Sequence, residues 1–301
     1  MPWQSVRQSA IQVLSKFRSP RAEANDAPVH PWRGGIIDLH SHVLPGLDDG
    51  AVDWSQSLEM CRLAVAEGIG EVVCTPHWVY GLYDNTRDRI LQSCVTLQRK
   101  LVDAGIPLKV HPGCEIRLEP DVVPQITSGR LLTLNDTGRY ALIELPGEFL
   151  HNYVENCLRN LMDHGITPIL SHPERNPGMI RCPERLAVWV GMGVLCQITA
   201  ASLRGRFGPL IQRFTLTLIQ HRLSHFMATD AHAPHVRSPR LSGAVLDLVA
   251  MIGPETAERM VVSNPRAVLA GEKVDAAEPL PFSARTPCGS TSWWRFFTSR
   301  R

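Results

Sequence analysis

Two histidines stand two residues apart, His40 and His42, at the end of an apolar run that opens with Ile36 and Ile37. The turn that follows, GLDDG, carries Asp48 and Asp49 between two glycines. Far along the chain the same spacing recurs in ATDAH, with Asp230 and His232. In a strand, residues i and i+2 point to one face, so each pair presents both of its groups to the same side. Imidazoles and carboxylates at the end of a buried strand are costly unless something compensates them. A cluster of polyvalent cations would do so. The donor set is nitrogen and oxygen without sulfur, which suits Mn, Fe or Zn and disfavours a structural cysteine–zinc site.

The elements that must position these groups are legible as an alternation. Short apolar runs lie at 36–42, 71–77, 108–116, 140–146, 167–172, 194–199 and 225–232. Helical patterns lie between them, at 53–68, 84–104, 152–165, 182–191, 209–220 and 239–252. In the first of these, Leu58, Cys61, Leu63, Val65 and Ala66 form an apolar stripe that ends at Gly68. Strands alternating with helices imply an α/β protein with a mainly parallel sheet. Roughly seven β-α units favour a closed, TIM-like barrel over an open sheet.

Aligning the runs by their C-terminal ends gathers the chemistry. The first ends in His40 and His42, the second in CTPH with His77, and the third runs into GCEIR with Glu115. The fourth ends in LIELP with Glu144, the fifth in SHPER with His172, and the seventh in Asp230 and His232. The sixth, CQITA, brings no charged group or imidazole. In a β/α barrel, reactive residues collect at these ends because the βα loops shape the pocket there. One of Asp48 and Asp49 is expected to fold back as a further ligand, while the other fixes the turn. So many ligands exceed the capacity of one ion. Two or three ions sharing a bridging carboxylate fit better, and such sites activate water and clamp phosphoryl oxygens. Arg175 and Arg237 lie just beyond ligand-bearing ends, and Arg117 follows Glu115. A guanidinium fork suits phosphate oxygens. No cysteine is followed by an arginine at the spacing of a cysteine-dependent phosphatase, and no G-x-S-x-G occurs. The expected nucleophile is therefore water activated by the cations.

Composition narrows the class. The chain has 301 residues and a formal net charge of +2, so there is no general pull toward nucleic acid. No apolar run is long enough to span a bilayer, and the first residues lack the continuous apolar stretch of a secretory signal. Eight cysteines are scattered without a C-x-x-C pair, which predicts reduced thiols and a cytoplasmic protein. Residues 1–34 read as a partly helical or disordered N-terminal extension, 35–271 as the catalytic body and 272–301 as a disordered tail. That tail ends in SWWRFFTSRR, an aromatic and basic cluster that could touch a membrane surface weakly.

The stretches DLHSHVLPGLDDGA, CTPH, GCEIRL, LIELP, SHPERN, QITAASLRGRFG and ATDAHAPHVR stand here in one order. That order resembles the bacterial PHP-type (polymerase and histidinol phosphatase) protein-tyrosine phosphatases encoded with capsule and exopolysaccharide genes, over residues 36–271. The resemblance implies a distorted (β/α)7 barrel with a trinuclear site, usually manganese, with Fe, Co or Zn as alternatives. It implies that His40, His42, Glu115 and Asp230 are ligands, with Glu115 bridging, and that Asp49, His77, Glu144, His172 and His232 fill the remaining positions. Arg175 and Arg237 match the phosphate-binding arginines. The implied substrate is phosphotyrosine, typically on the Tyr-rich tail of a membrane tyrosine autokinase that controls polysaccharide export. Cytoplasmic location at the inner face of the plasma membrane and homo-oligomer formation are further expectations. The competing readings are a small-molecule phosphomonoesterase, histidinol-phosphatase-like, and an inactive membrane- or partner-binding adaptor.

Overall fold

The computed structural model describes Trp32, residues 35–147 and residues 151–281, with the backbone alone at 151 and 152. Apart from Trp32, the expected N-terminal extension lies outside the described residues, and so does the SWWRFFTSRR cluster.

Every expected apolar run forms strand. These are β1 (Ile36–Ser41), β2 (Ile69–Cys74), β3 (His77–Trp78), β4 (Lys109–Pro112), β5 (Glu115–Arg117), β6 (Tyr140–Glu144), β7 (Thr167–Ser171), β8 (Leu195–Thr199) and β9 (Phe226–Ala228). They make a three-stranded sheet, β1-β2-β4, and a six-stranded sheet, β3-β5-β6-β7-β8-β9. Every strand pair in both sheets is parallel. The second and third expected runs each break in two, giving β2/β3 and β4/β5. Pro76, which has no N–H to donate, sits in the first break. Its carbonyl accepts from the amide of Glu115 at 3.1 Å. Gly113 sits in the second, where an added Cβ would lie 2.8 Å from Val73 Cγ1. Across both breaks the chain changes sheet, which brings His77 level with Glu115 in the β3–β5 register.

The last strand and the first also meet. Ser41 and Ala231 form a parallel bridge. His40 accepts from the amide of Asp230 and Ala231 accepts from the amide of His42, both at 2.8 Å. The β9 strand ends at Ala228, short of the expected His232. Asp230 has φ 54°, a left-handed conformation that no strand sustains, so the alternation rule does not carry Asp230 and His232 to the site. A turn does.

Helices cover the sheets: α1 (Trp54–Ala66), α2 (Arg87–Asp103), α3 (Val122–Thr127), α4 (His151–Asp163), α5 (Pro177–Arg181), α6 (Pro183–Gly191), α7 (Ala200–Leu203), α8 (Pro209–Gln220), α9 (Ser242–Ile252), α10 (Pro254–Glu258) and α11 (Asn264–Ala270). A π-helical segment, Arg259–Ser263, joins the last two. Asp53 caps α1 by accepting from Gln56 N, and Thr86 caps α2 by accepting from Arg89 N. Because helices pack on one side of each strand, the core divides. A large apolar cluster includes Ile36, Val72 and Ile143 with the helix residues Met60, Leu97 and Leu158. A smaller one joins Ile37, Leu39, Val73, Leu142, Ile169, Leu195 and Phe226 to Val268 and Leu269 of α11. The first residues of the expected tail lack helix and strand but are tied down. Tyr140 donates its hydroxyl to the carbonyl of Glu272 at 2.5 Å, and Leu280 N donates to His221 O at 2.9 Å. Six cysteines are free and buried. Cys182 is disulfide-bonded, which departs from the expectation of thiols throughout.

Candidate metal centre

Glu115 opens β5, fully buried, and four imidazoles from three strand ends converge on its carboxylate. His40 Nε2 lies 3.0 Å and His42 Nε2 3.4 Å from Oε2. His77 Nδ1 lies 3.1 Å from the same oxygen, and His172 Nε2 lies 2.8 Å from Oε1. Asp230 Oδ1 stands 3.4 Å from the Nε2 atoms of both His40 and His42. Asp49 Oδ1 lies 3.5 Å from His77 Nε2 and 3.4 Å from His232 Nε2. Three overlapping donor sets result: His42, Asp49, His77 and His232; His40, His42, Glu115 and Asp230; His77, Glu115 and Glu144. Within each, the donor atoms lie within 4.8 Å of one another. His172 belongs to none of the three but touches Glu115, the residue that two of them share.

The GLDDG turn divides the labour of its two acids. Asp48 faces inward, taking a proton-bearing His42 Nδ1 at 2.6 Å, the amide of His77 at 2.8 Å and the amide of Gly50 at 2.9 Å. It orients His42 and shapes the turn, while Asp49 is half exposed. His172 sits at φ 32°, and this left-handed residue starts the short 3-10 turn Pro173–Arg175. Two left-handed non-glycine residues in one site, His172 and Asp230, are the kind of backbone strain that clusters at functional centres.

Four donor atoms of the cluster are buried without a hydrogen bond of acceptable geometry: His77 Nδ1, Glu115 Oε1, Asp230 Oδ1 and His232 Nε2. Orphaned polar atoms this deep are rare, and here they aim at one another's neighbourhood. The residues therefore fit a cation cluster: oxygen and nitrogen donors in excess, packed within ligand reach, with lone pairs unspent.

Charge is arranged accordingly. Burial disfavours the ionised form of Glu115, but His40 and His172 outweigh it and hold the carboxyl well below its ordinary range. Asp230 is held low in the same way, by His40 and Arg175 against burial. Burial pushes His77 and His172 down to about 4, leaving both imidazoles neutral with a lone pair to offer. Glu144 is pushed up to about 7 by burial and by the charge of Glu115. Both predicted arginines reach Asp230 Oδ2, Arg175 Nη1 at 2.8 Å and Arg237 Nη2 at 2.6 Å.

Several contributors escaped sequence reasoning. Gln197 on β8, a strand without charge or imidazole at its end, accepts from His40 Nδ1 at 2.9 Å through its Oε1. A lone amide inside an apolar strand was the available signal. Asp38, buried beneath His40, accepts from Thr229 N at 2.9 Å and so links β1 to the turn that holds Asp230. Glu174 accepts from Thr199 N at 2.9 Å and anchors the SHPER loop to β8.

Known proteins share these features. Residues 36–270 match the family described as capsular polysaccharide synthesis, CpsB/CapC. Tyrosine-protein phosphatase YwqE of Bacillus subtilis is 36% identical over 250 residues, 83% of this chain and 98% of that protein. Tyrosine-protein phosphatase CpsB of Streptococcus agalactiae is 26% identical over 239 residues, 78% of this chain and 98% of that protein. A solved structure from work on YwqE of Bacillus subtilis and CpsB of Streptococcus pneumoniae, described as unique metal-dependent tyrosine phosphatases, aligns with a TM-score of 0.79. It is 36% identical and covers 83% of this chain and 100% of that one. On the extent of these matches, the chain belongs to the CpsB/CapC family of capsular polysaccharide synthesis.

Proposed function

We propose that this chain is a metal-dependent protein-tyrosine phosphatase acting in capsule or exopolysaccharide synthesis. The observation that carries the reading is the convergence of His40, His42, His77 and His172 on the buried carboxylate of Glu115, with unspent donor atoms around it. In this reading His40, His42, Asp49, His77, Glu115, Glu144, His172, Asp230 and His232 would hold two or three manganese ions, with Glu115 as their shared ligand. When bound, such ions activate water and offset charge on phosphoryl oxygens.

The chain's own groups supply the rest. Arg175 and Arg237 already point to one carboxylate oxygen of Asp230. A phosphate group arriving beside that oxygen meets two guanidinium forks matched to its non-bridging oxygens. Neutral His77 and His172 present lone pairs rather than protons. The leaving phenolate, with a pKa of about 10, needs little help from a proton donor. The bridge between Ser41 and Ala231 supports closure of the strands into a (β/α)7 barrel over a catalytic body at 35–271, with an extension on either side.

The substrate in this reading is a phosphotyrosine protein, the Tyr-rich tail of a membrane tyrosine autokinase. The enzyme would work in the cytoplasm at the inner membrane face, as a homo-oligomer, with its tail in weak contact with lipid. No helix among the described residues is long and apolar enough to cross a membrane. Metal analysis of the purified chain, with phosphotyrosyl-peptide hydrolysis measured before EDTA, after it and after adding Mn, tests the reading. Loss and recovery of activity in step with bound metal is the expected result. Full activity in metal-free protein would overturn it.

A further inference from the structure

Two aromatic rings touch the cluster from different loops, and neither belongs to its donor set. Tyr83 stacks on His77, with centroids 5.9 Å apart and planes inclined by 13°. Phe207, in the SLRGRFG stretch after β8, lies under the guanidinium of Arg175, whose Cζ is 5.1 Å from the ring centroid. Both rings are partly exposed. Each therefore keeps part of its surface open while its contact residue belongs to the metal and phosphate machinery. The loop that carries Tyr83 is fixed at its base. Val79 and Tyr83 pair as an antiparallel bridge, and the Asn85 side chain donates to the carbonyls of Leu47 and His77, both at 2.8 Å.

The loops that carry the site's donors also expose apolar side chains. Val236, Tyr80, Val52 and Leu82 are 84%, 75%, 74% and 66% exposed. Val52 follows the GLDDG turn, Tyr80 and Leu82 follow His77, and Val236 stands between His232 and Arg237. Apolar surface gathered in site-bearing loops marks a place where something binds. A phosphoryl group small enough to reach the cations would leave this rim uncovered unless its ester carries an apolar body.

We propose that Tyr83 and Phe207 are specificity-determining residues that wall the aryl ring of the substrate, so that the site selects aryl phosphates over short alkyl phosphates. The inference rests on the phosphatase reading above and adds the residues that set its ester selectivity. A phosphotyrosyl ring entering between them finds a face on either side, an arrangement in which aromatic pairs gain more than their area alone predicts. A phosphoseryl group is too short to bring any ring there and meets only the arginines and the cations.

The test uses the full-length chain loaded with Mn and two peptides of one sequence, phosphorylated on tyrosine or on serine. Intrinsic leaving-group differences cancel when each variant is compared with the parent. Tyr83→Ala and Phe207→Ala are each expected to lower kcat/KM for the phosphotyrosyl peptide about fivefold, mainly through KM, and to change the phosphoseryl value by less than about twofold. Tyr83→Phe keeps the ring and should stay near the parent. Titration of phenylphosphonate against methylphosphonate gives the same comparison without turnover: the alanine variants should weaken the phenyl compound and leave the methyl compound unchanged. Equal losses for both esters and both phosphonates, or no loss in either, would overturn the proposal. Absence of hydrolysis in the metal-loaded parent would instead sink the phosphatase reading beneath it.

Discussion

His40 Nε2 and Glu115 Oε2 lie 3.0 Å apart across 75 residues of sequence, both fully buried. Neither group would be stable there alone. Their contact holds the imidazole above its ordinary value, Glu115 and Asp230 together outweighing burial. A pair of this kind is a charge-matched place that a divalent ion can take over, since metal binding exchanges protons for a cation.

Removing Glu115 should therefore do more than delete one ligand. In Glu115→Ala, four imidazoles lose their common anion. Bound metal, measured by elemental analysis, should fall, and kcat/KM should drop at least about a hundredfold. Full activity with parental metal content would remove Glu115 from the centre.

Gln197 acts one step back. It holds His40 by Nδ1, which sets which ring nitrogen is free to face Glu115. Gln197→Leu preserves volume and deletes that partner. Metal affinity is expected to weaken roughly tenfold to a hundredfold, with the thermal midpoint of the metal-free protein little changed. Unaltered affinity in a competition titration with a chelator would show that His40 needs no such partner.

Gly50 shows how the GLDDG turn depends on a missing side chain. A Cβ there would lie 2.2 Å from the carbonyl oxygen of His42 and 2.6 Å from the Cβ of His42. Backbone cannot yield cheaply, so Gly50→Ala should destabilise by about 1–3 kcal/mol and displace Asp48 and Asp49. Thermal unfolding and metal titration measure the two effects. A variant with parental values of both would mean that the turn relaxes freely.

His225 gives a pH dependence away from the metal centre. Burial depresses it to about 4 while Cys196 N donates to its Nδ1 at 3.0 Å. The unfolded imidazole titrates near 6.5. Between those values the unfolded chain binds the extra proton, so stability is full above about pH 6.5 and falls as pH drops toward 4. At full effect the loss is about 3 kcal/mol. Denaturant midpoints across this range should show the slope in the parent and a shallower one in His225→Asn. Identical slopes would assign the acid sensitivity elsewhere.

Much of the fold could be read from the chain because burial on both faces of a strand leaves a continuous apolar run, and the runs at 140–146, 167–172 and 194–199 became β6, β7 and β8. Periodicity also located α1, α2 and α8, whose first turns follow Asp53, Thr86 and Gly208. The helices at 254–270 were not anticipated. They include a π-helical turn at Arg259–Ser263, and a widened turn breaks the 3.6-residue repeat on which such a reading depends.

Sequence by itself determined the donor types and their order: His40, His42, His77, Glu115, Glu144, His172, Asp230 and His232 each stand where an apolar run gives way to a loop, which is where such groups can meet a ligand. Tertiary structure alone decided which of them share a neighbour. Left-handed backbone at His172 and Asp230 turns those side chains onto Glu115, His40 and His42, and the sheet changes at β2/β3 and β4/β5 bring His77 level with Glu115. Phe207 and Gln197 took their places by contact across distant segments. Local patterns record which face of an element is buried. They carry no record of what waits on the other side.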